Sequence, residues 1–355
     1  MPPSSHFAPE PTPPEMRPQV IPLSQSPEVA QQERLAELAS QSVEAVSSII
    51  FGQERVINES LVTLFSGGHM LLVGVPGLAK TRLVQTLGHV LGLETQRIQF
   101  TPDLLPSDIL GSEVLETSAE GQRHFRFIPG PIFTQLLMAD EVNRASPRTQ
   151  SALLQAMQER EVSIAGETRS LPTPFHVLAT QNPVEQEGTY PLPEAQLDRF
   201  MMHIDMSYPS LDAERKMLAA TTGHTLPTVD PVMTTQDLLD IQNLVRCLPT
   251  GETIVDAILN LVRNTRPETT SLDLVRRSVA WGPGPRASQA FMLATRARAL
   301  LDGRLAPSIT DVIALAQPIL RHRIALTFAA RAEGITLDSL IENACRGLES
   351  SPEAA

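Results

Sequence analysis

The sequence predicts an α/β domain that is followed by a second, all-helical domain. Between residues 28 and 208, short apolar runs alternate with amphipathic helical patterns, which is typical of a parallel sheet flanked by helices. A glycine-rich segment joins the first apolar run to a helical pattern. From residue 209 to residue 355 the strand-like runs stop, and helical patterns continue between prolines and glycines. A chain of 355 residues is long enough for two domains of ordinary size.

Residues 1–27 are predicted to form a proline-rich, disordered tail outside the fold. Nine of the 30 prolines fall there among few large apolar residues, so the segment cannot bury enough surface to become ordered. The alternative is an extended polyproline ligand for a partner. The folded part should begin at Ser26-Pro27-Glu28, where serine can cap a helix and proline can take its first position. Apolar residues at helical spacing then predict an amphipathic helix up to Ile50.

Short apolar runs and turn signals predict the strands and hairpins of the first domain. The predicted strands are Met70–Val73, Arg97–Phe100, Gln135–Ala139 and Phe175–Thr180, and the predicted hairpins are Gly111–Phe127 and Glu161–Leu171. A helix should run from Lys80 to about Leu91. The turn of the first hairpin is expected at the polar residues 118–121. Each hairpin either contacts a substrate or partner, or covers an edge of the sheet.

Composition argues against several classes of protein. The chain has no apolar run of about 18 residues that could span a membrane, and its N-terminus lacks the features of a secretory signal, so we expect a cytoplasmic protein. Cys247 and Cys345 are far apart and lack histidine neighbours, which argues against a zinc site or a disulfide framework and favours two reduced thiols. A net charge of −12 and an aromatic content of 4% argue against nucleic-acid binding, although a local basic patch stays possible.

Residues 74–81, GVPGLAKT, have the pattern of a phosphate-binding loop between a strand and a helix. In such a loop, backbone N–H groups at the helix N-terminus hold the β-phosphate, Lys80 reaches the β- and γ-phosphate oxygens, and Thr81 ligates Mg²⁺. Ala79 stands where the pattern usually has glycine, and alanine has less backbone freedom. The alternative is a chance glycine turn before a helix. The predicted nucleotide-binding residues of the loop are Gly74, Pro76, Gly77, Leu78, Ala79, Lys80 and Thr81.

Polar residues at the ends of two later strands are candidates for a hydrolytic site. Asp140 and Glu141 follow an apolar strand, and we assign Asp140 to the metal ion and Glu141 to activation of the attacking water. Asn182 follows the next strand, where its amide can bond the γ-phosphate or the water. The alternative roles are a polar loop start for the acids and a turn residue before proline for Asn182.

Two arginines further along the chain are candidates for stabilising charge on the transferred phosphoryl group. Arg199 lies at the end of a short predicted helix, and Arg286 begins a helix in the second domain. A single arginine is usually a surface residue. The order of phosphate loop, acidic strand end, asparagine strand end and two arginines favours the functional interpretation.

The order of these features and nine short sequence motifs resemble the MoxR family of AAA+ ATPases, over roughly Glu28 to Gly347. The motifs are FGQ (51–53), GVPGLAKT (74–81), FTPDLLPSDI (100–109), FIPGP (127–131), DEVNRA (140–145), ATQNP (179–183), LPEAQLDRF (192–200), GPGPRA (282–287) and LRHRI (320–324). In that family alanine is common before the loop lysine, so Ala79 fits the pattern. The resemblance implies a P-loop α/β domain with a helical lid.

The resemblance also implies ring hexamers in which ATP and Mg²⁺ bind between subunits. It adds Gly52 and Gln53 to the nucleotide site and makes Asn182 the first nucleotide sensor. It makes Arg199 a finger that reaches the neighbouring subunit's ATP, and Arg286 a second sensor that acts either in its own subunit or in the neighbour.

Two further basic features have open interpretations. Arg144 belongs either to the intersubunit site or to a structural ion pair, and Arg321-His322-Arg323 is either functional or the solvated face of a lid helix.

The resemblance implies a chaperone-like remodelling ATPase. Members of the family help to mature partner enzymes or insert their metal centres, often together with a protein bearing a von Willebrand factor A domain. One alternative is a nucleic-acid motor of the same superfamily, which Arg123, His124 and Arg126 in the first hairpin favour. The other is a module that binds nucleotide without hydrolysing it, against which Glu141, Asn182 and Arg199 argue.

Overall fold

The computed structural model describes residues 27–117, 122–184, 188–223 and 228–349. The predicted tail therefore lies outside the described residues except for Pro27, as does the predicted turn at residues 118–121. Within the described residues, no helix has the length and apolar character needed to cross a membrane.

In the part of the chain that the structure describes, the strands form one central sheet and three small antiparallel pairs. In chain order they are β1 (Met70–Val73), β2 (Thr95–Gln99), β3 (Gly111–Thr117), β4 (Arg123–Pro129), β5 (Leu136–Asp140), β6 (Glu161–Ile164), β7 (Glu167–Ser170), β8 (His176–Gln181), β9 (Met202–Asp205), β10 (Val279–Trp281) and β11 (Ala325–Leu326).

The helices surround the sheet and make up most of the second domain. They are α1 (Pro27–Ser47), α2 (Glu54–Phe65), α3 (Lys80–Val90), α4 (Pro106–Leu110), α5 (Pro147–Glu159), α6 (Glu194–Leu197), α7 (Leu211–Thr221), α8 (Thr235–Cys247), α9 (Glu252–Asn264), α10 (Asp273–Ser278), α11 (Pro285–Leu301), α12 (Ile309–Ala314), α13 (Ala316–Leu320), α14 (Phe328–Ala332) and α15 (Leu337–Glu349). In the described ranges, two short 3₁₀-helices span Val142–Arg144 and Arg321–Arg323.

The central sheet is parallel and has the strand order β2-β5-β8-β1-β9. The four predicted strands are confirmed: the first has the predicted ends, and the ends of the other three differ by one or two residues. The edge strand β9 was not predicted, because its four residues alternate between buried and half-buried positions instead of forming an apolar run. Val73 lies opposite Gln181, and Gln99 lies opposite Asp140, so the carboxyl ends of these strands meet at one edge. Ligands of open parallel sheets bind at that edge.

Both predicted hairpins are confirmed as antiparallel pairs, β3 with β4 and β6 with β7. The second turn contains Ala165 and Gly166, which have φ angles of 52° and 87°. Positive φ at both central residues is the signature of the tight turns that suit the twist of a hairpin.

The second domain is helical, as predicted, with one correction. Strands β10 and β11 form a small antiparallel ribbon in which Val279 lies opposite Leu326. Their three and two residues are too short to give a strand signal in the sequence. Helix α11 packs against α2, α8 and α9, so apolar residues of the two domains form one continuous core. The boundary at residues 208/209 stays a prediction.

Candidate nucleotide site

The predicted phosphate loop connects β1 to α3 and has the backbone shape that such a loop needs. The Gly74 N–H donates to the Gln181 carbonyl (3.2 Å), and a Cβ at Gly74 would lie 2.9 Å from the Met206 carbonyl oxygen, so only glycine fits there. Gly77 and Ala79 have φ angles of 86° and 60°. The left-handed conformation costs a residue with a Cβ on the order of 1 kcal/mol, so the surrounding structure must hold Ala79 in place.

Lys80 begins α3 and lies beneath this loop. Its Nζ donates to the Gly74 carbonyl (2.6 Å) and to the Gln181 carbonyl (3.4 Å), at the carboxyl ends of β1 and β8. Partial burial lowers the pKa of the ammonium, and the carboxylates of Asp140 and Glu141 oppose this shift. An anion bound in the loop would compensate the buried positive charge.

Asp140 ends β5, and both of its carboxylate oxygens have partners. Oδ1 accepts from the Thr180 hydroxyl (2.6 Å), and Oδ2 accepts from the Arg97 guanidinium on β2 (2.6 Å). Thr81 lines a cavity of about 280 Å³ together with Arg97, the ion-pair partner of Asp140. A hydroxyl and a carboxylate are oxygen donors that suit Mg²⁺, and the predicted metal-binding pair therefore fits the ion.

Glu141 follows Asp140 with a φ of 54°, an uncommon conformation for glutamate that is often found at functional sites. Its N–H donates to the Thr180 hydroxyl (2.9 Å), so Thr180 orients both acids. Its Oε2 accepts from the Gln99 amide (2.8 Å) and from Arg144 (3.2 Å). Arg144 was expected either in an intersubunit site or in a structural ion pair. The structure shows an ion pair, with Glu141 of the same chain.

Asn182 is buried directly after β8, next to the Gln181 carbonyl that Lys80 contacts. Its Oδ1 accepts from the Val184 N–H (3.1 Å), which is the geometry of a turn asparagine. The turn interpretation therefore holds, and the same turn places Asn182 at the edge of the sheet where Lys80 and the acids lie.

Gln53 lies beside the loop, in the wall of a cavity of about 380 Å³, and Gly52 directly precedes it in the chain. Gly52 has a φ of 69°, and a Cβ there would lie 2.4 Å from the Ala213 Cβ on α7. The Gln53 amide donates to the Ser207 carbonyl (2.8 Å). The wall also includes Ile49, Phe51, Leu78, Tyr208 and Met217. A largely apolar cavity next to a phosphate loop suits a flat nucleotide base, so we call it the base cavity.

The two predicted arginines lie together at the other end of β1. Arg199 and Arg286 line a cavity of about 270 Å³ that also includes Gly68 and His69, which precede β1. The phosphate loop follows β1, so six residues of extended chain, on the order of 20 Å, separate Gly68 from Gly74. The structure thus brings the arginines to each other and keeps both of them away from the loop of the same chain.

Neighbouring side chains hold both arginines in this cavity. The Arg199 Nε donates to the Gln158 amide oxygen (3.1 Å), and an Arg286 Nη1 lies 3.8 Å from an Asp198 carboxylate oxygen.

The sequence did not identify five residues of the site. They are Thr180, Arg97 and Gln99, and Tyr208 and Met217 in the wall of the base cavity. Thr180 and Gln99 are strand residues whose neighbours across the sheet decide their role, and a single sequence carries no signal for those neighbours.

Comparison with known proteins assigns both domains. Residues 69–202 match the ATPase family associated with various cellular activities (AAA), and residues 272–344 match the AAA lid domain. A solved structure of a candidate ATPase from Cytophaga hutchinsonii superposes with a TM-score of 0.83 at 39% identity, over 89% of this chain and 96% of that one.

Curated relatives match most of the chain. The protein named Chaperone MoxR1 from Mycobacterium tuberculosis is 44% identical over 83% of this chain and 78% of its own length. The uncharacterized protein YeaC from Bacillus subtilis is 41% identical over 88% of this chain and 95% of its own length. Protein MoxR from Paracoccus denitrificans is 31% identical over 80% of this chain and 87% of its own length.

Proposed function

Because the chain belongs to the MoxR family of AAA+ ATPases, we propose that it hydrolyses ATP to ADP and phosphate with Mg²⁺ and uses the energy to remodel partner proteins. The observation that carries the proposal is the convergence of Lys80, Asp140, Glu141 and Asn182 at the carboxyl edge of the sheet, beside the base cavity.

Each residue at this edge has a part in the proposed reaction. Lys80 exchanges its two carbonyl partners for phosphate oxygens, and the loop N–H groups hold the β-phosphate. Thr81 and Asp140 would hold Mg²⁺, which supplies charge neutralisation of the phosphates when bound. Glu141 orients the attacking water and accepts its proton, for which it must leave Gln99 and Arg144. Asn182 bonds the γ-phosphate or the water.

The position of Arg199 and Arg286 supports an assembly in which they act on a neighbouring subunit. Their cavity lies at the opposite end of β1 from the loop, so each chain carries the loop and the arginines on different faces. A contact between unlike faces repeats head to tail and closes into a ring when the rotation allows it. We propose a hexameric ring in which both arginines reach the next subunit's ATP, which places the second sensor in trans.

The proposed role is a cytoplasmic chaperone for the maturation or metal-centre insertion of a client enzyme, acting with a protein that has a von Willebrand factor A domain. The family and the relative named Chaperone MoxR1 support the chaperone part. The exposed Leu115 and Phe125 of the first hairpin offer an apolar surface for a client. The nucleic-acid alternative has weaker support, because Arg126 and His124 lie 3.0 and 3.8 Å from the carboxylate of Glu116.

Two variants test the ATPase proposal. Lys80→Ala should abolish ATP binding, whereas Glu141→Gln should keep ATP bound and lower turnover by about 10²-fold to 10⁴-fold, the usual contribution of a general base. Binding is measured by equilibrium titration with ATP, and turnover by phosphate release. Removal of divalent cations with EDTA should stop turnover of the wild-type protein.

The matched controls are Lys216→Ala on α7 and Glu159→Gln on α5, which change an exposed lysine and an exposed glutamate. Both should bind and hydrolyse ATP like the wild type. Unchanged ATP affinity in Lys80→Ala, or normal turnover in Glu141→Gln, would contradict the assignment of the site. A Glu141→Gln trap should also retain the von Willebrand type partner and the client in a pulldown, and Lys80→Ala should not.

A further inference from the structure

The segment Arg321–His322–Arg323 is a buried contact between the helical domain and the segment that carries Arg199. His322 and Arg323 have 6% and 1% of their surface exposed, so the interpretation as a solvated helix face is wrong for these two residues. The His322 Nε2 donates to the Phe200 carbonyl (3.0 Å). Arg321 is half-buried and pairs with Asp205 at the end of β9 and with Asp338 on α15.

Arg323 holds the chain immediately around Arg199. Its Nε donates to the Asp198 carboxylate (2.7 Å). Its two other nitrogens donate to the carbonyls of Phe200 (2.7 Å), Met201 (3.1 Å) and Asp198 (3.4 Å), as well as to that of Ile319 (2.5 Å) on α13. A planar guanidinium with five donors in a fixed fork can satisfy these acceptors together. The residues on both sides of Arg199 are therefore fixed to the helical domain through one side chain.

Asp198 connects this contact to the second arginine of the cavity. One carboxylate oxygen accepts from Arg323, and the other lies 3.8 Å from the Arg286 guanidinium at the start of α11. Two arginines from different elements of the helical domain thus converge on the residue that precedes Arg199. Burial of an ion pair usually costs as much as it contributes to stability, so a role in fixing geometry explains this arrangement better than a role in stability.

We propose that Asp198 and Arg323 are positioning residues that hold Arg199 and Arg286 in one geometry, so that the helical domain of one subunit sets how its arginines meet the ATP of the next. The inference rests on the proposed function. Neither residue needs to touch the nucleotide. A displacement of about 1 Å at a group that stabilises charge can cost on the order of 100-fold in rate, which makes such positioning measurable.

The test uses Asp198→Asn, which keeps the size and one acceptor oxygen and removes the charge. ATP affinity should stay within about 2-fold of the wild type, while turnover should fall by at least about 10-fold, since the defect affects geometry at the neighbouring site. The double variant Asp198→Asn/Arg199→Ala should turn over at the rate of Arg199→Ala alone, because residues that act as a unit are not additive. Asp273→Asn, which removes an exposed partner of Arg276 on α10, is the control and should behave like the wild type.

Mixed assemblies distinguish positioning from general damage. Asp198→Asn subunits keep an intact phosphate loop, and Lys80→Ala subunits keep intact arginines, so an equimolar mixture should recover about a quarter of wild-type turnover per subunit if subunits join head to tail at random. A defect in folding, or an effect of Asp198 on its own site, gives no recovery. If Asp198→Asn does not assemble, Arg323→Lys replaces it in the same mixing experiment, with the same expected recovery. This change keeps the positive charge but removes the forked set of guanidinium donors.

Wild-type turnover in Asp198→Asn, additivity with Arg199→Ala, or failure to complement Lys80→Ala where Arg199→Ala complements it would overturn the inference. None of these three results would contradict the proposed ATPase function. That function is contradicted by a different result, namely ATP hydrolysis that continues in Lys80→Ala.

Discussion

Two histidines at the end of the sheet remote from the phosphate loop are buried as neutral rings. The His69 Nδ1 accepts from the Val177 N–H (3.0 Å), so its proton is on Nε2, which donates to the Met157 carbonyl (3.2 Å). The His176 Nδ1 donates to the Gly68 carbonyl (2.8 Å), and its Nε2 accepts from the Gln242 amide of α8 (3.1 Å). These bonds join β1, β8 and the helical domain and leave no acceptor for an added proton.

This arrangement predicts a loss of stability in acid. Burial lowers the pKa of His69 to about 3 and that of His176 to about 4, whereas the unfolded chain titrates near 6.5. The unfolded state therefore binds more protons below about pH 6.5, and the stability that the neutral rings allow is lost as the pH falls from there towards 4. At about pH 5 the free energy of unfolding should drop by on the order of 2 kcal/mol per histidine.

Thermal unfolding at about pH 8 and about pH 5 measures this loss. His176→Gln should lower stability at both values and reduce the difference between them. His124→Gln, on the exposed hairpin, is the control and should leave the difference unchanged. An equal difference in His176→Gln and the wild type would show that His176 does not contribute to the acid sensitivity.

The sequence predicted which polar residues of the candidate site lie at strand ends, but not the side chains that hold them. Asp140 ends a strand, Glu141 and Asn182 directly follow strands, and Lys80 follows the loop after β1. Parallel strands bring such positions to one edge, so their proximity follows from their spacing. Their catalytic roles stay predictions. The partners that hold them, Thr180 for the two acids and Arg97 for Asp140, depend on which strands are neighbours, and the sequence does not determine strand order.

At the scale of elements, the two hairpins are joined by an aromatic contact. Arg169 on β7 lies over the ring of Phe127 on β4, 4.1 Å from its centroid, and that ring meets Phe133 edge-on at 5.6 Å. Leu115 and Phe125 lie opposite each other on the same hairpin and are 52% and 69% exposed. Phe127 thus contacts the second hairpin through Arg169, while Leu115 and Phe125 form an exposed apolar surface on the first hairpin.

Removing the arginine should loosen the second hairpin. Arg169→Ala should lower the local stability of β6 and β7 by about 0.5–2 kcal/mol, the range for a cation over an aromatic ring. Hydrogen exchange of the amides in β6 and β7 should then be faster, with basal ATP turnover unchanged. Arg126→Ala, which removes an exposed ion pair with Glu116 on the first hairpin, is the control and should leave exchange in β6 and β7 as it is. Unchanged exchange in Arg169→Ala would mean that the contact does not hold the hairpins together.

The elements that the sequence missed are those that depend on tertiary partners. Strand β9 is short and paired on one side only, next to β1, and the ribbon of β10 and β11 exists because Val279 meets a residue far along the chain, Leu326. The elements that were predicted have local signals, such as an apolar run for the central strands or Gly166 for the second hairpin turn.

At the scale of the whole molecule, the two halves of the proposed hydrolytic site lie at opposite ends of β1 in each chain. One half has the phosphate loop, the acids and the base cavity, and the other has Arg199 and Arg286 at the far end of β1. The continuous core between the two domains fixes the distance between these halves. Activity should therefore depend on the order in which subunits meet and not only on the integrity of each chain.

Mixing two inactive variants tests this dependence. Lys80→Ala and Arg199→Ala should each have little turnover alone, since an arginine finger contributes about 10³-fold to 10⁵-fold in related chemistry. In an equimolar mixture, an Arg199→Ala subunit whose site faces a Lys80→Ala neighbour has every group it needs. Random order produces this pairing at about a quarter of the head-to-tail interfaces, so turnover per subunit should reach about a quarter of the wild-type rate. Mixing Lys80→Ala with Glu141→Gln is the control and should restore nothing, because both defects affect the same half. If the arginine mixture is as inactive as this control at every ratio, Arg199 acts within its own subunit and the head-to-tail arrangement is wrong.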